Sequence, residues 1–310
     1  MSKMSKSLTG VFILVFVMFV VLLIFSVYSL KILKSDLTLN DSKVKNPIAV
    51  IEVKGVIKGS KSVIQLLLKA EKDKKSKAII VRIDSPGGVV GPTQEIYDEM
   101  LRIDNLYNSS KGTKGKPVYA SMGAVAASGG YYLAAAARSI YANPGTLTGS
   151  LGVIMKFYDI SKLYEMAKIK PNTIKAGLYK DIGSESRSMT LQEKKIMEKM
   201  INGVRNQFVT AIMKTRKNKI KGDIEQIAQG QIFSGEEALK IGLVDHLKGL
   251  WGAGRQIHKE LKLKGEFGFK FIKKENKDLV DRLFGKLKNS MEDLKLQAVY
   301  NNVFVPMFLP

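Results

Sequence analysis

The chain has no cysteine. That excludes disulfide frameworks, thiolate zinc sites, a cysteine nucleophile and a cysteine-linked lipid anchor, while leaving the redox compartment open. Histidine is almost as scarce. Only His246 and His258 occur, too few for a multi-histidine metal site, and a histidine-based triad has just these two candidates. Acidic residues are outnumbered, 28 against 50 basic ones, which leaves a net charge of +22. Arginine is also sparse, 8 residues against 42 lysines. Lysine is a hydrated point charge without the planar fork that reads bases or grips phosphates. The lysines are scattered with little aromatic interleaving, which argues against nucleic acid as a partner. A solvated basic surface near anionic lipid headgroups, or plain compositional bias, is the better account.

What is present is globular composition, 45% hydrophobic and 25% charged over 310 residues. At about 150 residues per domain this allows one large domain or two ordinary ones. One long apolar run stands apart. From Val11 to Leu30 only Ser26 and Ser29 interrupt it, with Lys3 and Lys6 before and Lys31 and Lys34 after. At 1.5 Å rise, about 20 residues cover the roughly 30 Å of a bilayer's hydrocarbon core. A cleaved signal peptide has a shorter apolar stretch and small residues at its cleavage site, which Val27-Tyr28-Ser29-Leu30 does not provide. The reading is a short polar N-terminus (1–10), an uncleaved transmembrane anchor (11–30) and a linker (31–45). Both flanks are basic, so lysine counting does not orient the anchor.

Residues 46–250 alternate strand and helix signals. Pro47–Ile57 and Ala78–Ile83 are β-branched runs of strand length, and Val90–Asn105 has helical spacing after a Gly-Gly turn. Pro117–Ser121 and Ser139–Ala142 read as short strands around an Ala-rich helix at Ser128–Ala137. This order predicts an α/β fold with mostly parallel pairing. Thr190-Leu191-Gln192-Glu193 is a capping box opening a helix to about Lys217. Its stripe of Leu191, Ile196, Met200, Val204, Phe208 and Ile212 is expected to face the core. A second box, Ser234-Gly235-Glu236-Glu237, opens a short helix ended by Gly242. Residues 251–310 read as a basic helical tail, with an amphipathic stretch over Val280–Leu294 and an apolar tip, Val303–Pro310.

Three glycine-rich segments carry candidate chemistry. Ser85-Pro86-Gly87-Gly88 follows a strand and lets the backbone turn sharply, but lacks the Lys-Ser/Thr ending of a phosphate loop. Gly123–Tyr132 sets Ser128 among residues with almost no side chain at a strand-to-helix junction. Such a turn suits either a helix cap or an exposed nucleophile next to a helix's positive end. A nucleophilic serine needs a base. Asp245 with His258, or an earlier aspartate with His246, has a permitted order, but His246 follows the Gly242 helix stop and reads as a surface turn residue. The other available base is lysine, and the third glycine-containing segment, Ile174–Gly183, carries Lys175 and Lys180. At a reference pKa near 10.4 only about one lysine in 2,500 is neutral at pH 7, so such a base must be desolvated.

Ser85-Pro-Gly-Gly, Ala126-Ala-Ser-Gly-Gly-Tyr-Tyr132, Thr148-Gly-Ser-Leu-Gly-Val153, Lys180-Asp-Ile-Gly-Ser184 and Gly242-Leu-Val-Asp245 occur in that order. Together they resemble bacterial signal peptide peptidase A, the membrane-anchored serine peptidases of family S49, over roughly residues 47–248. The length resembles the short, single-repeat members. The resemblance implies a ClpP/crotonase-like fold for the domain at 46–250 and a Ser-Lys dyad, with Ser128 as nucleophile and Lys180 as general base. It further implies that Ser150 orients Lys180 and that the N–H groups of Gly88 and Gly129 form the oxyanion hole. No cofactor and no metal are implied. The expected partners are apolar peptides such as cleaved signal peptides, the bilayer through residues 11–30, and further copies in a ring- or bowl-shaped homo-oligomer whose neighbours complete each site. The expected location is the cell membrane, single-pass, with the catalytic domain on the extracytoplasmic side. Two alternatives stay open: a crotonase-like acyl-CoA enzyme using Gly88 and Gly129 on a thioester, and a non-catalytic, membrane-tethered peptide-binding scaffold. The apolar tip looks more like a substrate than a linker, and is expected in a groove of its own or a neighbouring subunit, or else against the membrane or the amphipathic helix beside it.

Overall fold

The computed structural model describes residues 13–26, 28–29, 46–273 and 307–308. The chain divides into two units, Met1–Lys45 and Asn46–Pro310. In the first, residues 13–26 form helix α1, whose apolar side chains are exposed, Phe16 and Phe25 at 68% and 69%. Among the described residues no helix is long and apolar enough to cross a membrane. The expected span at 11–30 is thus described only in part; positions 11, 12, 27 and 30 lie outside the described residues.

The second unit is built on strand–helix alternation. In chain order it runs β1 (Ile48–Lys54), α2 (Lys61–Lys72), β2 (Ala78–Ser85), β3 (Gly88–Val89), α3 (Val90–Ser109), β4 (Val118–Ala127), α4 (Gly129–Ala135), β5 (Ile140–Ala142) and β6 (Leu147–Gly149). It continues through α5 (Ser161–Met166), α6 (Leu191–Arg216), α7 (Ile224–Ile227), β7 (Ile232–Ser234), α8 (Gly235–Lys240), β8 (His246–Leu247), α9 (Leu250–Glu260) and β9 (Phe269–Phe271), and β10 (Met307–Phe308) follows. The main sheet has the order β7-β6-β4-β2-β1-β9, with β5 on β4 and β8 on β5. All its pairings are parallel except β6 with β7.

Parallel strands covered on both faces need apolar residues on both, which is why β1 and β2 read as near-continuous β-branched runs. Their alternation divides the core. Ala49, Ile51, Ile79 and Val81 face one cluster, shared with Ile96 and Met100 of α3 and Leu133 of α4. Ile48, Val50, Ala78 and Ile80 face the other, with Ala253 and Ile257 of α9. Strand β4 runs longer than its apolar signal, to Ala127, and its many small residues allow α4 to lie close above it.

Both capping boxes form. The Thr190 hydroxyl accepts from the Glu193 N–H, while the Glu193 carboxylate accepts from the Thr190 N–H at 2.8 Å; Ser234 and Glu237 repeat the arrangement. Gly242 ends α8 at φ 80°. The stripe on α6 is a correction. Phe208 and Ile212 are buried, but Leu191 is 81% exposed, and Ile196 and Met200 are open as well. Only the C-terminal half of the helix lies against this chain's core. The helices α2 and α9 and the strands β6 and β9 were not resolved from the sequence. The stretch at 280–294 lies outside the described residues. Of the tip, the described backbone of Met307–Phe308 pairs antiparallel with β3.

A buried ion pair ties α6 to the sheet. Arg216 is fully buried and donates to both Asp245 oxygens, at 3.0 and 3.1 Å, and to the Gly242 carbonyl. Asp245 also accepts from the Ile140 N–H and pairs with Lys219. Burial alone would raise the carboxyl's pKa, but the Arg216 hydrogen bond and charge overcome it and hold the value below the usual carboxylate range. A depressed folded-state value adds stability that is complete above the ordinary carboxylate pKa and is lost as pH falls through the folded one. Arg216→Met should lower stability by about 3 kcal/mol, because it strands a buried carboxylate. Thermal denaturation at pH 7 and pH 3 checks this: the deficit should shrink at the lower pH.

Candidate active site

Three parallel strands end together. Ser85 of β2 pairs with Ala126 of β4, and Ala127 of β4 pairs with Gly149 of β6. The residues just beyond these ends are Gly87-Gly88, Ser128-Gly129 and Ser150. Carboxyl ends of parallel strands are where open α/β sheets present their ligand sites, since the loops there are free to carry chemistry.

Ser128 caps α4 in a backbone conformation that residues with a side chain seldom adopt, φ 53° and ψ −117°. Its N–H donates to the Gly149 carbonyl at 2.8 Å, and its own carbonyl accepts from Tyr132. The side chain makes no helix-capping bond. Its Oγ is buried and has no hydrogen-bond partner among the described residues. A plain helix cap would spend the hydroxyl on a backbone N–H, and this one does not. The N–H groups at the start of α4, Gly129 first, have no acceptor within the helix.

Glycines shape the walls because backbone fills the space their side chains would need. A Cβ on Gly130 would stand 2.6 Å from the Ser85 carbonyl oxygen, and one on Gly88 only 2.2 Å from that of Ile57. Gly149, at φ 80°, sits against Phe233 and the Gln231 carbonyl. Ser150 is also held at positive φ, 50°, with its N–H on the Gln231 oxygen. The Thr148 hydroxyl donates to the Ala126 carbonyl at 2.7 Å and fastens β6 to β4 beside the site.

The structure therefore gathers Gly88, Ser128, Gly129 and Ser150. Lys180 is not with them inside one chain. It is exposed, in a run of turns stabilised by Lys180 N–H to Gly177 O and Ile182 N–H to Tyr179 O, and nothing reaches the Ser128 hydroxyl. Lys175 is occupied: its amine pairs with Asp181 at 2.5 Å and donates to the Leu178 carbonyl. The histidines are elsewhere. His246 is a strand residue rather than a turn residue, stacked on Tyr141 at 4.7 Å. It is in register with Tyr141, which pairs with Ser121, so it lies about 20 Å along β4 from Ser128. His258 packs edge-on against Phe267, and Asp245 is held by Arg216 and Lys219. Among the described residues no group of acidic or histidine side chains could hold a metal ion.

Sequence reasoning missed Arg187. Its guanidinium bridges Asp181, beside Lys180, to Glu193 of the α6 capping box, at 2.9 and 2.6 Å. The capping box was visible as spacing; the arginine's reach to it depends on how the loop folds back.

Comparison with known proteins agrees with this geometry. Residues 110–264, which hold Ser128, Ser150 and Lys180, match the profile of Peptidase family S49. Residues 45–147, with Gly88 and Ser128, match that of Clp protease, in keeping with a ClpP/crotonase-like fold. A Synechocystis protein provisionally named a protease is 38% identical over 204 residues, 66% of this chain and 70% of that protein. An Enterococcus faecium protein provisionally named signal peptide peptidase SppA is 32% identical over 64% of this chain and 55% of its own length. The chloroplastic serine protease SPPA of Arabidopsis thaliana is 34% identical over 67% of this chain, which spans only 29% of that protein. With half its length under one family profile and its strand ends arranged around Ser128, the chain belongs to peptidase family S49, as a serine peptidase of the signal peptide peptidase A type.

Proposed function

We propose that the protein is a membrane-anchored endopeptidase that cleaves apolar peptides, with Ser128 as nucleophile and Lys180, from a neighbouring copy, as general base. The observation that carries this is the Ser128 hydroxyl, buried at a strained elbow among glycines and left without a partner. A neutral Lys180 amine takes the hydroxyl proton and the oxygen attacks a peptide carbonyl. The Gly88 and Gly129 N–H groups receive the negative charge on the carbonyl oxygen, and Ser150 orients the amine. The same amine then protonates the leaving nitrogen and activates the water that releases the acyl group. Membership of a peptidase family weighs against both the acyl-CoA and the scaffold alternatives.

Two features favour a base supplied in trans. The segment bearing Lys180 exposes apolar side chains at a density unusual for a solvated surface, with Tyr158 at 73%, Met166 at 82%, Ile174 at 95% and Leu178 at 70%. The bare half of the α6 stripe, Leu191 and Met200, adds to them. A second copy covering this surface would also remove water from the Lys180 amine and favour its neutral form.

The edge of β3 supports an extended peptide as substrate. Its edge accepts the extended Met307–Phe308 backbone antiparallel, with Phe308 opposite Gly88, which is how a peptide adds to a sheet edge beside an oxyanion donor. The apolar run at 11–30 and the exposed apolar face of α1 support anchoring in the bilayer. The extracytoplasmic placement of the catalytic unit rests on the family resemblance.

Ser128→Ala and Lys180→Met should each abolish hydrolysis of an apolar fluorogenic peptide while leaving the circular dichroism spectrum intact. Unfolding the two inactive proteins together and refolding them as mixed oligomers should recover about a quarter of wild-type activity, since each site then draws its serine and its lysine from different copies. No recovery at all, with oligomers re-formed, would rule out the trans dyad. A chain ending at Tyr300 should bind the same peptide with a several-fold lower KM, because Met307–Phe308 no longer occupies β3. An unchanged KM would show that the tail does not compete.

A further inference from the structure

Lysine chemistry in the proposed site meets an immediate obstacle. The residue next to Lys180 is Asp181, and a free carboxylate there would favour the charged amine and silence the base. The fold disposes of that carboxylate. Asp181 receives Lys175 on one oxygen at 2.5 Å and the Arg187 Nε on the other at 2.9 Å. Arg187 is itself fixed by a two-point grip on Glu193, at 2.9 and 2.6 Å, and Glu193 is only 4% exposed. Glu193 is further tied to the Thr190 N–H and hydroxyl, so the chain of contacts ends on the first turn of α6.

We infer that Arg187 is a positioning residue of the catalytic base: it pins the Lys180 turn to α6 and keeps the Asp181 carboxylate off the Lys180 amine. The inference rests on Lys180 being the base. Two cations and four carboxylates stand around that turn besides Lys180. On its own segment stand Lys175, Asp181, Glu185 and Arg187; α6 contributes Glu193, and the stretch before α5 contributes Asp159. Glu185 accepts from the Tyr164 hydroxyl, and Asp159 accepts from the Ser161 and Ser188 hydroxyls, so both are engaged by neutral donors. Within the clamp two cations meet two carboxylates, leaving no net charge beside Lys180. The ionisation of the clamp fits this. Hydrogen bonds from Arg187 and Lys175 hold Asp181 far below the usual carboxylate range, and those from Arg187 and the Thr190 N–H bring Glu193 down to about 2. Both therefore stay ionised, and the balance stays constant, across the range in which a peptidase works.

The count predicts signs. Arg187→Met leaves one surplus negative charge, so the acid limb of the kcat/KM–pH profile should move up by about one pH unit, with kcat falling and KM little changed. Asp181→Asn leaves one surplus positive charge and should move the limb down. The double variant Arg187→Met/Asp181→Asn restores neutrality and should return the limb toward its wild-type position. A purely structural bracing role would make the double variant worse than either single one. The full-length protein in detergent, assayed with a short apolar fluorogenic peptide, provides the readout. An acid limb unmoved in Arg187→Met, or not restored in the double variant, overturns the inference. Should Arg187→Met fail to fold, an unmoved limb in Asp181→Asn overturns it equally. Lys180→Met separates the two levels: activity surviving there defeats the base assignment itself, whereas loss of activity there with an unmoved limb in the clamp variants defeats only the role of Arg187.

Discussion

The site depends on one backbone constraint, the left-handed turn at Ser128. A residue with a Cβ at φ 53° carries a cost of about 1–3 kcal/mol that the surroundings must offset. They do so by close approach. Gly130 has no side chain because the Ser85 carbonyl stands where one would be, which lets α4 descend onto the end of β2. The Ser128 N–H is claimed by Gly149, itself a glycine because Phe233 and Gln231 crowd it. Relaxing any one contact would let Ser128 turn into an ordinary cap, satisfy its hydroxyl on the backbone, and cease to be available. The glycine runs are thus the condition for an unsatisfied hydroxyl, rather than loose punctuation between elements.

That constraint also explains what was legible in the amino-acid order and what was not. Ser128, Gly88, Gly129 and Ser150 lie at strand ends, and strand ends announce themselves locally through a β-branched run followed by glycine. Parallel pairing of β2, β4 and β6 then brings these short signals to one place without further information. Both capping boxes were equally plain, because their partners are three residues apart. Lys180 is different. Nothing local distinguished its amine from that of Lys175; the structure does, by tying Lys175 to Asp181 and leaving Lys180 open. Arg187 went unnoticed for the same reason, since its partners converge only when the loop folds against α6. The α6 stripe was misjudged for a related one. Period 3.6 marks an apolar face, but only its C-terminal half meets this chain's core.

The excess of lysine takes on a sharper meaning beside this arrangement. A protein with a +22 surplus has few carboxylates to place, yet the stretch around Lys180 holds five of them, Asp159, Glu165, Asp181, Glu185 and Glu193. Asp181 and Glu193 are shielded and paired, while Asp159 and Glu185 are exposed and accept from hydroxyls. The pairs on Asp181 and Glu193 are partly shielded and share a single arginine, so their value lies less in stability than in fixing geometry and charge at one turn.

The proposed nucleophile Ser128 and the proposed base Lys180 are held on different parts of the same fold. Bringing them together within a chain would require the turn at 177–184 to leave the clamp that holds it to α6. Bringing them together between chains requires no such change, only that the apolar surface from Tyr158 to Leu178 and the open face of α6 be covered. The second route preserves every contact described here and buries the surface that one chain leaves in water. It also makes activity conditional on assembly: a lone chain, with its serine sealed from its lysine and Met307–Phe308 lying along β3, would have neither a base nor an empty groove.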